Sequence, residues 1–190
     1  NALGKKGETV GNPVREEITT LQVPELRFAD HHGVLRVLVV GGSLGAAALN
    51  TLLPKAFAQL PHNMRPQIIH QAGEKHIEAL KKAYAEACVA ADCRAFIQDM
   101  AEVYAWADLV ICRAGALTIA ELANVGAASI LVPFPFAVDD HQTTNAAYLQ
   151  QAGAALLIQQ RDLEVTQLAN TLQELDRSIC LVMAQKARAL

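Results

Sequence analysis

What this sequence lacks narrows it first. It holds no apolar run near the roughly 20 residues that a membrane helix needs, and no signal-peptide pattern is visible. Basic residues are not in excess. Sixteen Lys and Arg stand against 19 Asp and Glu, a formal net charge of −3, so there is no positive field to attract nucleic acid. Aromatics make up only 5% while Ala, Leu and Val dominate, which disfavours an all-β sandwich and favours helices packed on a parallel sheet. Cysteine is sparse. Cys88, Cys93, Cys112 and Cys180 form neither a CxxC pair nor a zinc-like spacing, and they read as reduced packing residues of a cytosolic protein.

What is present is a chain that is 52% hydrophobic and 18% charged over 190 residues, enough to bury the core of one α/β domain. The first residue is Asn1 rather than Met, and Met183 to Leu190 runs in a helical pattern, so the expectation is a piece of a longer protein. Residues 1–33 carry Gly4, Gly7, Gly11, Pro13 and Pro24 among mixed charges and read as a linker, leading into a domain over 34–190.

From residue 34 onward strand and helix alternate. Val34–Val40 is a β-branched run of the kind covered on both faces of a sheet. Further strands are expected at Gln67–Gln71, Cys93–Ile97, Asp108–Cys112, Ala128–Val132 and Ala154–Ile158. Helices are expected over about 46–60, 75–89, 117–125 and 141–152, with Asp99 capping a short one to Ala107 and two more closing the chain. Six strands joined through helices imply right-handed crossovers and a doubly wound parallel sheet. Ligands of such sheets bind beyond the carboxyl ends of the strands.

Polar, glycine-marked stretches follow the first, fourth and fifth strands. Gly41-Gly42-Ser43-Leu44-Gly45 lets the backbone turn sharply and come close to a ligand, and the helix after it offers free N–H groups to a phosphate. The stretch is neither GxGxxG nor GxxxxGKS/T. Gln71, Ala72 and Gly73, not an acidic residue, end the second strand, which counts against a dehydrogenase. In Arg113-Ala114-Gly115-Ala116-Leu117-Thr118-Ile119-Ala120-Glu121 a second helix start can hold an anion, and Glu121 can accept two hydrogen bonds from a ribose cis-diol. Read alone, Glu121 is equally a carboxylate complementing the helix dipole. In Asp139-Asp140-His141-Gln142-Thr143-Thr144-Asn145, Gln142 and Asn145 share one helix face and suit the hydroxyls of a neutral sugar, while Asp139 and Asp140 can be caps. His141 reads as a capping or sugar-contacting residue before it reads as a general base. No second His or Cys lies at metal-ligand spacing from it, so no metal site is expected. Convergence of these three stretches on one rim is hard to explain as packing.

Together these residues resemble the MurG transferases of the two-domain GT-B fold, from about Gly11 onward. The strings that carry the likeness are Gly11-Asn12-Pro13-Val14-Arg15, Gly41 to Ala46, Phe96-Ile97-Gln98-Asp99-Met100, Ala105-Trp106-Ala107-Asp108, Arg113 to Glu121, Val132-Pro133-Phe134-Pro135 and Asp140 to Ala146. The resemblance implies a donor-binding half for UDP-N-acetylglucosamine in an inverting transferase that converts lipid I into lipid II. In that scheme Ser43, flanked by Gly41, Gly42 and Gly45, contacts the diphosphate. Ile97 lies against the uracil and pairs with it through its backbone. Ala116, Leu117 and Thr118, with Ile119 and Ala120 behind them, present N–H groups to the phosphates. Glu121 holds the ribose hydroxyls. Gln142, with His141 and Asn145, reads the N-acetylglucosamine. Arg15 reaches the donor from the interdomain linker. Position 44 is often Gln in the family, so Leu44 removes a polar contact there.

The resemblance further implies that the acceptor site, the general base and the membrane-facing patch belong to an N-terminal domain. No catalytic residue is then expected in this chain, no cofactor besides the sugar nucleotide that is its substrate, and no nucleic-acid partner. The place of work would be the cytoplasmic side of the bacterial inner membrane. Two other readings stay open from the residues: another UDP-sugar enzyme of GT-B-like fold, such as a UDP-N-acetylglucosamine epimerase, and a non-catalytic nucleotide-binding module.

Overall fold

A computed structural model of the chain describes residues 12–42, 46–136 and 140–190. Among the described residues six strands form one sheet: β1 (Arg36–Val40), β2 (Gln67–Gln71), β3 (Asp92–Arg94), β4 (Leu109–Cys112), β5 (Ser129–Leu131) and β6 (Ala155–Leu157). Every neighbouring pair is parallel, and the order across the sheet is β3-β2-β1-β4-β5-β6. The chain therefore winds one way from β1 through β2 and β3, then returns to β4 and winds the other way. The doubly wound parallel sheet expected from the sequence is what the chain forms.

The apolar strand residues alternate between two cores. Val37 and Val39 of β1 and Leu109 and Ile111 of β4 face one side. There α3 (Ala47–Gln59), α4 (Ile77–Glu86) and α8 (Val165–Glu174) cover them with Leu53, Leu80 and Leu172. Leu38, Val110 and Cys112 face the other side. There α5 (Met100–Trp106), α6 (Ala116–Val125) and α7 (His141–Gln151) supply Tyr104, Leu122 and Leu149. Strands buried on both faces need no polar positions, which is why the β1 sequence shows no alternation.

Residues 12–33, within the stretch expected as a linker, are not irregular throughout. They fold into α1 (Glu16–Thr19) and α2 (Pro24–Ala29), because Ile18 and Phe28 are apolar and the domain buries both. Arg27, also buried, donates to the carbonyls of Gln22, Val125 and Gly126 at 2.7 Å. It thereby caps the C-terminus of α6 with a cation, where the helix dipole favours one. Gly126 ends that helix with φ +67°, and a Cβ there would come within 2.8 Å of Pro24 and of Arg188. The position needs glycine for its backbone angle and for that close approach. The closing helix α9 (Arg177–Arg188) packs on α2 and α6.

β3 is shorter than expected. It ends at Arg94, and Ile97 lies beyond it in the turn that leads to α5. The Ile97 N–H is drawn off the ladder by a side chain of β2, described below.

Candidate functional site at the carboxyl rim

The register aligns Val40 with Gln71 on one side and Cys112 on the other, so β1, β2 and β4 end level with one another. The switch in strand order falls between β1 and β4, which is where sheets of this kind leave a crevice for a ligand. The turns after β1 and β4 flank that crevice, and the turn after β5 lies next to them. Gly41 and Gly42 continue β1 there, Gly42 with φ +84°. Ser43, Leu44, Gly45 and Asp139 lie outside the described residues.

Glu121 is the centre of the described site. It is the sixth residue of α6, and its side chain is 17% exposed. Arg15 Nη2 donates to Oε1 at 3.2 Å, and the Tyr104 hydroxyl donates to Oε2 at 3.0 Å. An ionised carboxylate has about four acceptor positions, so roughly half of this one's capacity is used by the described residues. Arg15, half-exposed, sits just before α1 and reaches Glu121 from there. Beneath them Cys112 is fully enclosed, and burial, with the nearby Glu121 charge second, pushes its thiol up to about 12. It stays protonated and inert.

At the start of α6 the first backbone groups point into the rim. Gly115 is its N-cap, which has no side chain to cap with, and among the described residues no side chain is seen to accept from the first N–H groups of the helix. The N–H groups of Ala116, Leu117 and Thr118 therefore have no carbonyl inside the helix to meet, while the Ile119 N–H donates to Gly115 at 2.9 Å. Ala120 follows on the flank toward α7. Asn12 and Asn145 bracket this turn, Asn12 donating to the Ala116 carbonyl at 3.4 Å and Asn145 to the Ala114 carbonyl at 3.1 Å.

The α7 start is held to the loop after β5. Gln142 Oε1 accepts the Phe134 N–H at 2.9 Å, which ties its amide to that loop. Asp140 stands at the N-cap with φ +49°, and its carboxylate accepts from the Thr143 hydroxyl at 2.6 Å rather than from a helix N–H. Asp140 thus holds the N-cap position, but its side chain does not make the capping bond expected of it. His141 is the first residue of α7 and is exposed.

Three residues of the site carried no role in the sequence reading. Tyr104 is one. Gln71 is another: 3% exposed, it donates through Nε2 to the Gly42 carbonyl at 3.1 Å and accepts the Ile97 N–H through Oε1 at 3.0 Å. A single amide thus ties the glycine turn to the Ile97 loop and engages the Ile97 N–H. A polar residue at the buried end of β2 was the signal available. The third is Arg113, which donates to the Val132 and Pro133 carbonyls at 3.1 Å and to Gln160 at 2.6 Å, with its guanidinium 5.5 Å from the Phe134 ring. It fixes the Pro-Phe-Pro loop that in turn holds Gln142.

Two hollows flank the site. One of about 750 Å³ lies between α6 and α7 and touches the expected residues at Ala116, Ile119, Ala120 and Asn145. A smaller one of about 240 Å³ lies between Arg15 and residues 98–101, next to the Ile97 loop. Glu121 lines neither, so the chemistry is placed by the hydrogen bonds above rather than by the size of a cavity. Among the described residues no cluster of His, Cys, Asp or Glu could hold a metal ion, and no helix is long and apolar enough to cross a membrane.

Comparison with known proteins meets this geometry from the other side. The profile of the glycosyltransferase family 28 C-terminal domain matches residues 36–190. The UDP-N-acetylglucosamine–N-acetylmuramyl-(pentapeptide) pyrophosphoryl-undecaprenol N-acetylglucosamine transferase of Azoarcus sp. (strain BH72) is 61% identical over 97% of this chain and 52% of its own length. The enzyme of the same name from Dechloromonas aromatica (strain RCB) is 59% identical over 98% of this chain and 53% of its own. The crystal structure of Acinetobacter baumannii MurG superposes with a TM-score of 0.83 at 43% identity, covering 90% of this chain and 50% of that one. The chain spans about half the length of these relatives.

Proposed function

This chain belongs to glycosyltransferase family 28 through its C-terminal domain, and from that premise we propose that it is the donor-binding half of an inverting hexosyltransferase. The donor is UDP-N-acetylglucosamine, the acceptor is lipid I and the product is lipid II, as the names of its relatives imply. The observation that carries the reading is the half-filled Glu121 carboxylate beside an uncapped helix start at the switch point of the sheet. Such a pair suits a ribose diol joined to a diphosphate.

In this reading the acceptor's C4 hydroxyl attacks the anomeric carbon, the bond to the diphosphate breaks, and UDP leaves. Negative charge then grows on the diphosphate, where the N–H groups of residues 116–118 and the dipole of α6 stabilise it. Ser43 in the glycine turn adds a donor. The uracil lies at the Ile97 loop. Gln142, with Asn145 and His141, takes the sugar, and Arg15 closes on the nucleotide from the segment before α1. The acceptor, the general base and the membrane contact belong to the other half of the full-length enzyme, which works at the cytoplasmic face of the bacterial inner membrane.

Titration calorimetry of this chain with UDP tests the reading. Weak binding and no turnover are expected, and the absence of heat at millimolar UDP on folded protein defeats it. Glu121→Ala sharpens the test. It should cost UDP about tenfold or more in affinity, the value of a lost charge-assisted hydrogen bond, and leave 2′,3′-dideoxy-UDP nearly unchanged.

A further inference from the structure

We propose that Tyr104 is a positioning residue for ribose recognition: its buried hydroxyl holds the Glu121 carboxylate where both oxygens can face a cis-diol, and so sets the preference for ribonucleotides over deoxyribonucleotides. The proposal rests on the reading of Glu121 as the ribose contact and adds what makes that contact selective.

The argument starts from burial. Tyr104 is 2% exposed and packs on the sheet face that carries Leu38, Val110 and Cys112. For packing alone phenylalanine would serve better there, because a hydroxyl taken out of water costs free energy unless it finds a partner. The partner given to it is Glu121 Oε2 at 3.0 Å. Burial, then the Glu121 charge, raises the phenol well above its ordinary value, so it stays a neutral donor and never competes as an anion. The helix that carries it is anchored as well: Asp99 accepts the Glu102 N–H at 2.9 Å and caps α5 one turn before Tyr104.

The two partners of Glu121 are unequal. Arg15 is half-exposed and gives the carboxylate one contact of 3.2 Å, so a ligand can displace or share it. Tyr104 is enclosed and cannot withdraw. The result is a carboxylate pinned at Oε2 and exchangeable at Oε1. A glutamate on the rim of a helix would otherwise lose rotamer freedom on meeting the diol, and Tyr104 has removed that freedom beforehand.

The experiment measures UDP, 2′-deoxy-UDP and 2′,3′-dideoxy-UDP by titration calorimetry on the chain, on Tyr104→Phe, on Glu121→Ala and on the double variant. Tyr104→Phe is expected to weaken UDP about tenfold and to leave 2′,3′-dideoxy-UDP within about twofold, so that the ribose preference falls about tenfold. On the Glu121→Ala background the same change is expected to do nothing further. Equal weakening of all three nucleotides, or an effect that persists without Glu121, makes Tyr104 a packing residue and overturns the proposal. Should Tyr104→Phe not fold, Glu121→Asp asks the same question, since it keeps the charge but draws it back from the phenol. It too must lose the ribose preference, and retaining it in full refutes the idea. If Glu121→Ala weakens UDP and dideoxy-UDP alike, the fault lies with the ribose reading itself, and the role of Tyr104 falls with it.

Discussion

Two carboxylates stand at opposite ends of β4, and they differ in how completely they are used. Asp108 precedes the strand and is 1% exposed. Its Oδ1 meets His31 Nδ1 at 2.6 Å, and its Oδ2 accepts from the Arg36 N–H at 2.9 Å and from Arg177 at 2.9 and 3.2 Å. Those contacts fill the roughly four acceptor positions that a carboxylate has. Glu121, beyond the other end, has one contact on each oxygen among the described residues. A saturated carboxylate joins elements and has nothing left to offer. A half-saturated one at a crevice has capacity for a ligand. The contrast separates a filled carboxylate from an open one more sharply than burial alone, since both residues are shielded.

The largest test of that contrast is Asp108→Ala. It strands His31 and Arg177 beside the first turn of the sheet, and loss of one member of a buried pair costs about 3–5 kcal/mol. Urea unfolding should show that loss, while UDP affinity per folded molecule should hold. Glu121→Ala should differ in kind: it leaves the buried Tyr104 hydroxyl without its partner, so stability falls by about 1–3 kcal/mol, less than for Asp108→Ala, and the ribose-dependent affinity is gone. If both substitutions moved both quantities, the division between the two ends would be false.

A smaller effect comes from a buried group that is kept neutral. His70, fully buried in β2, meets the Tyr84 hydroxyl at 2.9 Å and Asn50 Oδ1 at 3.0 Å. Asn50 uses its own NH₂ on the Ala72 carbonyl, so Oδ1 accepts and His70 carries its proton on Nε2, with Nδ1 accepting from Tyr84. Burial lowers its pKa from 6.5 to about 3. The folded value is below the unfolded one, so on acidification the unfolded chain takes up the proton first. Stability from this group is whole above pH 6.5 and is lost progressively as pH falls toward 3. Between pH 7 and pH 5 the loss should be about 2 kcal/mol. Urea midpoints for the chain and for His70→Leu should then converge as pH drops, and parallel lines would mean that His70 titrates normally.

The sheet was legible in the sequence because doubly buried strands announce themselves as apolar runs: the wholly buried Leu109–Cys112 lies within the expected Asp108–Cys112, and Asp99 caps its helix. The rim positions of Gly42, Glu121 and Gln142 were legible because glycine and polar residues break those runs where ligands bind. Tyr104, Gln71 and Arg113 were not. Each is an ordinary residue for its local element, a tyrosine on a buried helix face or a polar residue at a strand end, and each gains its role through a partner 17 or more residues away. Local pattern holds no trace of such pairings. The two helices within residues 12–33 were not legible for a related reason. Glycine and proline mark loops, but Ile18 and Phe28 find cover only in the folded domain.

The least effect should come from Arg15, and it bears on the same comparison from the cation's side. Arg177 makes four contacts at the closed end, two to Asp108 and one each to the Gly33 and Val34 carbonyls. Among the described residues Arg15 makes one, to Glu121, with half of its side chain in solvent. An exposed pair of this kind contributes about 0–1 kcal/mol and weakens with salt. Arg15→Ala should therefore leave the urea midpoint almost where it was. Its effect should surface in binding, as a modest weakening of UDP that shrinks further at high ionic strength. A loss of stability comparable to that of Arg177→Ala would mean that Arg15 is fastened into the domain after all, and that the open end of β4 is built much like the closed one.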